Sequence, residues 1–237
     1  MKKDFFTILI DYDNLSLLDK QRGLIAVVEK ILSLVKNEIV GKTNVDVRLY
    51  GGWYTQNKIT QRAQNLVTEI VTSFPAAITP PITANNLIVN ASLAYSLLIT
   101  PNEHLLETFR IRGFPSDLHC DDPRNHGCTS LTCPINHIYD FINFQKCKGQ
   151  CCGIVPSDIL YRGEQKLVDS MLTNDLIYLS MSNSKPIVIV SSDDDFWPSI
   201  RTALALSTDV IHLLTKNYTT PQHYLQYANK YYIQYKL

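Results

Sequence analysis

The strongest constraint on the fold is a short run of apolar, β-branched residues that ends on three consecutive carboxylates. Residues 187–190 read Ile-Val-Ile-Val, and Asp193, Asp194 and Asp195 follow after two serines. A continuous apolar run of this length is typical of a strand buried on both faces of a parallel sheet, which places the acids at its carboxyl end. Ligands of open α/β sheets bind at that edge, where clustered carboxylates can share a divalent cation.

A second apolar run, near the start of the sequence, has the same kind of ending. Residues 5–10 lead directly into Asp11, Asp13 and Asn14. Aspartate and asparagine after a strand are also ordinary helix N-caps and turn formers, and one such cluster alone would favour that interpretation. Two clusters at equivalent strand ends favour a metal site that both strands share.

Predicted strands and helices alternate along most of the chain. From apolar periodicity, the predicted helices are 24–35, 56–72, 164–179, 197–205 and 222–228, and further predicted strands are 45–50, 210–213 and 231–235. Residues 87–99 fit either a strand or a buried helix, and we predict mostly strand. This order predicts an α/β fold with a doubly wound, mostly parallel sheet. A length of 237 residues fits one domain, 1–237, in which residues 101–156 form an insertion because their helical periodicity is weak.

The composition excludes some functions and limits others. Lysine and arginine together number 22, as do aspartate and glutamate, so no global basic field attracts nucleic acid. No apolar run approaches the roughly 20 residues of a membrane-spanning helix, and the amino-terminal residues do not resemble a signal peptide. All six cysteines fall within residues 120–152, a clustering that favours zinc over disulfides in a chain expected in the cytoplasm.

Three blocks of the sequence resemble the signature motifs of the NYN family of PIN-like, metal-dependent ribonucleases. The blocks are ILIDYDNL at 8–15, GEQKLVDSMLTNDLIYL at 163–179 and IVIVSSDDDFWPSI at 187–200. The middle block is similar to the family's Lys-x-x-Asp helix. The last block is similar to its Ser-Gly-Asp-x-Asp-Phe turn, with Ser192 in place of the usual glycine. Residues 101–156 lie outside the resemblance, which otherwise covers the sheet-forming parts of the chain.

The resemblance implies a PIN-like fold and a set of site residues. It implies that Mg²⁺ or Mn²⁺ binds to four aspartates, Asp11, Asp169, Asp193 and Asp195. It also implies that Asn14 and Ser191 orient phosphate or ligands. Lys166 lies three residues before Asp169 on a predicted helix, where it could contact a phosphate oxygen or form an ion pair. The remaining acids are expected to cap helices or support the ligands, and these are Asp13, Asp175 and Asp194.

The cysteine-rich insertion has the ligand types of a structural zinc site. The pattern Cys120-x7-Cys128-x4-Cys133-x3-His137 is close to that of a CCCH zinc finger, whose four ligands leave no open position for catalysis. A competing ligand set consists of Cys128, Cys133, Cys147 and Cys151. A third interpretation, in which the cysteines are simply reduced and buried, is disfavoured because the segment has few apolar residues to fold around.

Aromatic and basic residues follow His137 within the insertion. They are Tyr139, Phe141, Phe144, Lys146 and Lys148. Aromatic rings beside cations suit stacking on single-stranded bases and contact with the phosphate backbone. An equally weighted interpretation is that the rings form a small apolar floor beneath the zinc loop.

Together these patterns predict a metal-dependent endoribonuclease that acts on single-stranded or structured RNA. Carboxylate-bound divalent ions activate a water molecule and neutralise charge on the attacked phosphate and leaving oxygen, so no nucleophilic side chain is needed. The alternative is a catalytically weak RNA-binding or adaptor protein that keeps the acids without using them for turnover. The neutral net charge and the lack of an evident basic groove keep that alternative open.

Overall fold

A computed structural model describes residues 5–80, 86–115, 118–130, 132–149, 152–182, 186–216 and 231–237. The chain divides into two compact units. The first comprises Met1–Thr108 and Gln165–Leu237, and the second is Phe109–Glu164. The predicted insertion, 101–156, therefore overlaps most of the second unit, which begins and ends eight residues later.

The described ranges contain the following strands and helices. The strands are β1 (Phe5–Asp11), β2 (Asn44–Tyr50), β3 (Tyr54–Thr55), β4 (Lys58–Ile59), β5 (Ala76–Ile78), β6 (Leu87–Leu93), β7 (Phe109–Arg112), β8 (Arg162–Gln165), β9 (Ile187–Val190), β10 (Val210–Leu214) and β11 (Tyr232–Lys236). The helices are α1 (Leu17–Arg22), α2 (Leu24–Leu34), α3 (Gln61–Ser73), α4 (Pro134–Asn143), α5 (Pro156–Ile159), α6 (Val168–Met181) and α7 (Trp197–Ala205). Short 3₁₀ helices span Pro123–His126 and Asp194–Phe196.

The main sheet of the first unit is mostly parallel. Among the described strands its order is β11-β10-β9-β1-β2-β6-β5. Neighbours pair in parallel, except that β5 and β6 pair antiparallel at one edge. The predicted α/β class with a mostly parallel sheet is confirmed, and the topology is compatible with a doubly wound fold.

Helices cover both faces of this sheet. The central strand β1 directs Ile8 and Ile10 into one apolar cluster with α2 and α3, and Leu9 into a second cluster with α6 and α7. Each such fully buried side chain contributes roughly 1.5–3 kcal/mol of stability. Burial on both sides explains why Ile187–Val190 is apolar throughout, as the sequence predicted for this strand.

The helix predicted at 56–72 begins later than its apolar pattern suggested. Tyr54–Thr55 and Lys58–Ile59 form a short antiparallel pair, and α3 starts only at Gln61. Thr60 caps the helix, because its hydroxyl accepts the Ala63 backbone N–H at 3.3 Å. The hairpin and the cap are local choices that helical periodicity does not reveal.

An aromatic residue, Trp53, lies in the turn after β2. Its side chain is fully buried, and its Nε1–H donates to the Leu49 carbonyl at 3.1 Å. The Trp53 ring also lies 5.8 Å from the ring of Tyr12. The indole therefore belongs to the core, where its one polar atom has a partner.

The second unit has little buried apolar surface. Strands β7 and β8 are hydrogen-bonded neighbours, and α4 begins at the Cys133 N-cap with Pro134 in its first turn. None of the α4 residues is buried. This agrees with a segment that needs something other than an apolar core to hold it.

The remaining predicted elements differ mainly at their ends. The helix at 197–205 is confirmed, whereas the strand predicted over 87–99 ends at Leu93. The helix predicted at 222–228 lies outside the described residues. In the part of the chain that the structure describes, no helix has the length and apolar character needed to cross a membrane.

Candidate functional site

The two acid-terminated strands are neighbours, and one serine connects their ends. Strand β1 pairs in parallel with β9, so Asp11 and Ser191 lie at the same edge of the sheet. The Ser191 hydroxyl donates to Asp11 Oδ2 at 2.9 Å and accepts the Asp193 backbone N–H at 3.1 Å. The prediction that both strand ends meet at one edge is confirmed.

Asp11 is a buried carboxyl group in a negatively charged environment. Only 4% of the residue is exposed, and its pKa is raised to about 6, with burial as the largest cause. The hydrogen bonds from Ser191 and from the Asn14 backbone lower this pKa, whereas the carboxylates of Asp169 and Asp13 raise it. Asp11 is therefore still mostly ionised at pH 7, but at an energetic cost that a bound cation would relieve.

Asp169 brings a third chain segment to this edge. It lies in the first turn of α6, at the surface of the first unit. Its pKa is raised, first by desolvation and then by three carboxylates, those of Asp193, Asp195 and Asp13. The predicted acids thus influence one another electrostatically although they come from three separate elements.

Asp193 also has the capping role that was considered for it. Its Oδ1 accepts the Asp195 backbone N–H at 3.0 Å, which caps the 3₁₀ helix Asp194–Phe196. Phe196, at the end of this helix, is fully buried. The cap and the buried ring fix the backbone of the acidic turn, whatever else its carboxylates bind.

Asn14 holds strand ends together through its side-chain oxygen. Its Oδ1 accepts the Ser192 backbone N–H at 3.1 Å and the Thr215 hydroxyl at 2.7 Å. The Ser192 hydroxyl in turn accepts the backbone N–H groups of Thr215 and Lys216. Asn14 therefore positions the backbone after β9 and β10 with the same atom that a metal ion would use.

Lys166 does not lie on the helix that carries Asp169. Helix α6 begins at Val168, because Leu167 has a left-handed backbone with φ of 67° and the preceding residues belong to β8. The Lys166 N–H donates to the Thr108 carbonyl at 2.9 Å. The expectation that Lys166 and Asp169 project from one helical face is wrong, since helical spacing does not apply across this turn.

The structure gives Asp13 a different role from its neighbour Asp11. The Asp13 carboxylate forms a two-point ion pair with Arg62, whose Nη2 lies 2.9 Å from Oδ2, and accepts a hydrogen bond from Gln165 Nε2. Its backbone carbonyl accepts the Lys20 ammonium at 3.0 Å. Asp13 thus fastens the loop after β1 to α3.

Asp175 is a buried anchor. Its carboxylate accepts Arg48 Nε at 3.0 Å, the Tyr50 hydroxyl at 2.7 Å and the Leu98 backbone N–H at 2.7 Å. The side chain has essentially no exposure. These bonds tie α6 to β2 and to the segment after β6, so Asp175 serves the fold of the first unit.

Sequence reasoning missed a buried histidine beneath the acidic turn. His212 Nε2 lies 2.9 Å from the Ser191 carbonyl, and Nδ1 lies 2.9 Å from the Tyr232 hydroxyl. Burial lowers the pKa of His212 to about 4, so the ring is neutral at pH 7 and donates through Nε2 while accepting through Nδ1. One histidine in an apolar strand gives no sequence signal of this kind.

In the second unit, four of the five described cysteines form two close pairs. Cys128 and Cys133 are hydrogen-bonded through their thiols, and this bond raises the pKa of Cys128. The pKa of Cys133 is lowered first by the Ile135 backbone N–H and then by the bond to Cys128. Cys147 contacts Cys152, and its pKa is lowered first by the Gly149 backbone N–H, 3.3 Å from its sulfur.

The other predicted zinc ligands are placed differently. The Cys120 carbonyl accepts Asn143 Nδ2 at 3.1 Å, at the end of α4, whereas Cys133 caps its start about 15 Å away along the helix axis. His137 lines a cavity of about 570 Å³ together with Cys147 and Cys152. Cys151 lies outside the described residues. The described geometry therefore does not bring Cys120 to Cys133.

The aromatic residues predicted to contact RNA are split between two environments. Phe141 and Lys146 line the same 570 Å³ cavity, as an apolar floor would. Phe144 is 57% exposed and has the Lys148 ammonium 5.7 Å from its ring centre. Lys148 also pairs with Asp140 at 2.5 Å. Tyr139 lies on α4 and lines a separate depression of about 260 Å³ together with Arg124, Asp140 and Lys148.

Among the residues that the structure describes, neither the aspartates predicted to bind Mg²⁺ or Mn²⁺ nor the residues predicted to bind zinc surround a position for a metal ion. Within the described ranges, no three histidine, cysteine, aspartate or glutamate side chains have a geometry that could hold a metal ion.

Comparison with family models, with curated protein sequences and with solved structures finds no match for this chain. The chemistry of the site itself is therefore the basis for assigning a function.

Proposed function

We propose that this chain is a metal-dependent ribonuclease whose Mg²⁺ or Mn²⁺ ions bind to four aspartates, Asp11, Asp169, Asp193 and Asp195. The observation that carries the proposal is the meeting of Asp11 with the acidic turn at the carboxyl edge of the paired strands β1 and β9, where the Ser191 hydroxyl joins them. Neighbouring carboxylates contribute to the raised pKa of Asp11 and of Asp169. Mutually repelling acids at the carboxyl edge of a parallel sheet are costly unless a cation offsets their charge. Carboxylate oxygens are the donors that these hard ions prefer.

A bound divalent cation would supply an activated water and neutralise charge on the phosphate during hydrolysis. The protein itself holds the carboxylates in position. Ser191 holds the Asp11 carboxylate through its hydroxyl, and Asn14 fixes the backbone that leads to Asp193. The neutral His212 supports the Ser191 carbonyl from below without adding charge. The resemblance of the three sequence blocks to NYN proteins supports the same assignment and a PIN-like fold.

The proposal extends to one structural zinc ion in the second unit. Cys128 and Cys133 belong to both predicted ligand sets, and they are the two thiols in contact at the start of α4. The Cys120 carbonyl bonds Asn143, at the end of α4 opposite to Cys133, which favours the ligand set without Cys120. Zinc-bound thiolates require reducing conditions, so a cytoplasmic location is part of the proposal.

The test is cleavage of a labelled single-stranded RNA by the purified protein in Mn²⁺, in Mg²⁺ and in EDTA. Asp193→Asn should abolish metal-dependent cleavage because it removes a ligand charge. Asp209→Asn is the matched control, since Asp209 precedes β10 at the opposite edge of the sheet. Wild-type activity in Asp193→Asn would reject the assignment. Loss of activity in both variants would point to a general effect of charge or folding.

The second candidate is an RNA-binding or adaptor protein with little turnover. It is favoured by the lack of an assembled metal geometry among the described residues and by the use of Asn14 Oδ1 within the protein. Under this function the wild-type chain binds RNA in EDTA and in Mn²⁺ with equal affinity and does not cleave it. Under the ribonuclease function Mn²⁺ accelerates loss of the intact RNA.

A further inference from the structure

Three aromatic rings form a cluster on the first unit. The Tyr54 and Tyr95 rings lie 5.4 Å apart in an edge-to-face arrangement, and the His104 ring stacks on Tyr95 at 5.6 Å with 30° between the planes. The two tyrosines are half-buried, whereas His104 is exposed. The His104 ring is therefore accessible to a ligand, whereas the two tyrosine rings are partly covered by the protein.

The backbone around this aromatic cluster is held in place. The Leu105 N–H donates to the Tyr95 carbonyl at 2.7 Å, and the Tyr54 N–H donates to the Thr108 hydroxyl at 2.9 Å. The Tyr54 hydroxyl also lies 3.3 Å from His104 Nδ1. These bonds fix the positions of the rings before any ligand binds, which reduces the entropy cost of stacking on them.

A polar depression is formed by residues that follow Tyr54 and His104 closely along the chain. It has a volume of about 600 Å³ and is lined by Gln56, Asn57, Leu106 and Glu107. Gln56 and Asn57 are exposed, and their amides offer both donors and acceptors. The Glu107 N–H donates to the Gln56 carbonyl at 3.0 Å, so the two segments that form the depression are joined.

Sheet order places the aromatic cluster beside the acids. Tyr54 follows β2 and Tyr95 follows β6, and both of these strands end at the edge where Asp11 lies. Strands β2 and β6 are the first and second neighbours of β1 on this side. At about 4.8 Å between strands, the carboxyl ends of β2 and β6 lie about 5 and 10 Å from that of β1. These offsets are on the scale of the reach from a phosphate to a base of the same or the next nucleotide.

We propose that Tyr54, Tyr95 and His104 form a stacking subsite for one unpaired base of the RNA whose phosphate meets the four aspartates. The inference rests on the proposed ribonuclease function. It also accounts for how a chain with no net charge holds RNA, because stacking on an uncharged base face needs no basic field. A base within a duplex has both faces covered by its neighbours, so the subsite selects an unpaired nucleotide.

The experiment combines protein variants with abasic RNA. Binding of a labelled 10-nucleotide single-stranded RNA, and of derivatives with one abasic residue at each position, is measured by fluorescence anisotropy in EDTA. The variants are His104→Ala, Tyr95→Ala and Tyr95→Phe. Tyr178→Ala is the control, since Tyr178 is a partly exposed tyrosine in the last turn of α6, at the opposite edge of the sheet.

We expect one abasic position to weaken wild-type binding about 5- to 150-fold, and His104→Ala and Tyr95→Ala to abolish that position's effect. Tyr95→Phe and Tyr178→Ala should behave as the wild type. His104→Ala carries the test if Tyr95→Ala does not fold, because His104 is exposed. Wild-type affinity in His104→Ala, or equal losses at every abasic position, would overturn the subsite.

The outcomes also separate this inference from the proposed function. If the wild type cleaves RNA in Mn²⁺ but no abasic position loses its effect in His104→Ala and Tyr95→Ala, the subsite is rejected and the ribonuclease function remains. If one abasic position does lose its effect in these variants but the wild type cleaves no RNA, the ribonuclease function is rejected and an RNA-binding surface remains. Absence of both RNA binding in EDTA and Mn²⁺-dependent cleavage by the wild type rejects both.

Discussion

The Ser191 hydroxyl donates to the Asp11 carboxylate at 2.9 Å and accepts the Asp193 N–H, so one side chain links two of the four predicted metal ligands. The bond lowers the pKa of Asp11 against the opposing effects of burial and neighbouring charge. Ser191 therefore keeps a buried carboxyl group ionised near neutral pH, which is the state that binds a cation.

Removal of this hydroxyl should shift activity toward higher pH. In Ser191→Ala the pKa of Asp11 should rise above its value of about 6, so the acidic limb of the pH–rate profile in Mn²⁺ moves upward. Ser180→Ala is the control, because Ser180 is equally buried but bonds to the Leu176 carbonyl within α6. An unchanged acidic limb would show that Asp11 does not limit activity.

Asp11→Asn should stabilise the metal-free protein at neutral pH. The folded-state pKa of Asp11 is raised from 3.8 to about 6, so the folded state binds a proton more tightly than the unfolded state. Ionisation therefore costs nothing below pH 4, and the cost grows to at most about 3 kcal/mol above pH 6. Urea denaturation in EDTA at pH 4 and pH 7 should show equal stabilities at pH 4 and a more stable variant at pH 7.

Two aspartates on the same helix should respond in opposite ways. Asp175→Ala should lower the free energy of unfolding by roughly 3–5 kcal/mol, because Arg48 and the Leu98 N–H lose their buried partner. Asp169→Asn should leave stability unchanged or raised and should lose metal-dependent cleavage. Denaturation and cleavage assays on both variants check this. A destabilised Asp169→Asn would assign that residue to the fold instead.

Zinc content should depend on the thiol pair at the start of α4. Elemental analysis of protein purified under reducing conditions should find about one zinc per chain, and Cys133→Ser should lose it. Cys120→Ala and His137→Ala should retain the metal, since Cys120 lies toward the other end of the helix. Loss of zinc in Cys120→Ala and His137→Ala would instead support the CCCH set.

The parts of the fold that depend on burial were predictable from sequence. The apolar run 187–190 could only be a buried strand, and the helix at 197–205 follows it as its periodicity predicts. The meeting of Asp11 with the acidic turn followed from parallel topology. In each case a single physical preference decided the structure, without help from distant side chains.

The parts that depend on one dihedral angle or one distant partner were not predictable. The left-handed backbone of Leu167 detaches Lys166 from α6, although the residue pattern around it is helical. The burial of Trp53 depends on how the chain turns after β2, and the position of His212 depends on Tyr232, twenty residues further along. Such pairings are set by tertiary packing, which local patterns do not encode.

The bonds around His212 have a consequence for protein synthesis. Tyr232, which orients the histidine under the Ser191 carbonyl, lies on β11, whereas every aspartate of the proposed site is translated earlier. A nascent chain that has not yet exposed β11 to the sheet has its acids but not the support beneath their turn. We expect chains that lack β11 to cleave RNA more slowly than the full chain.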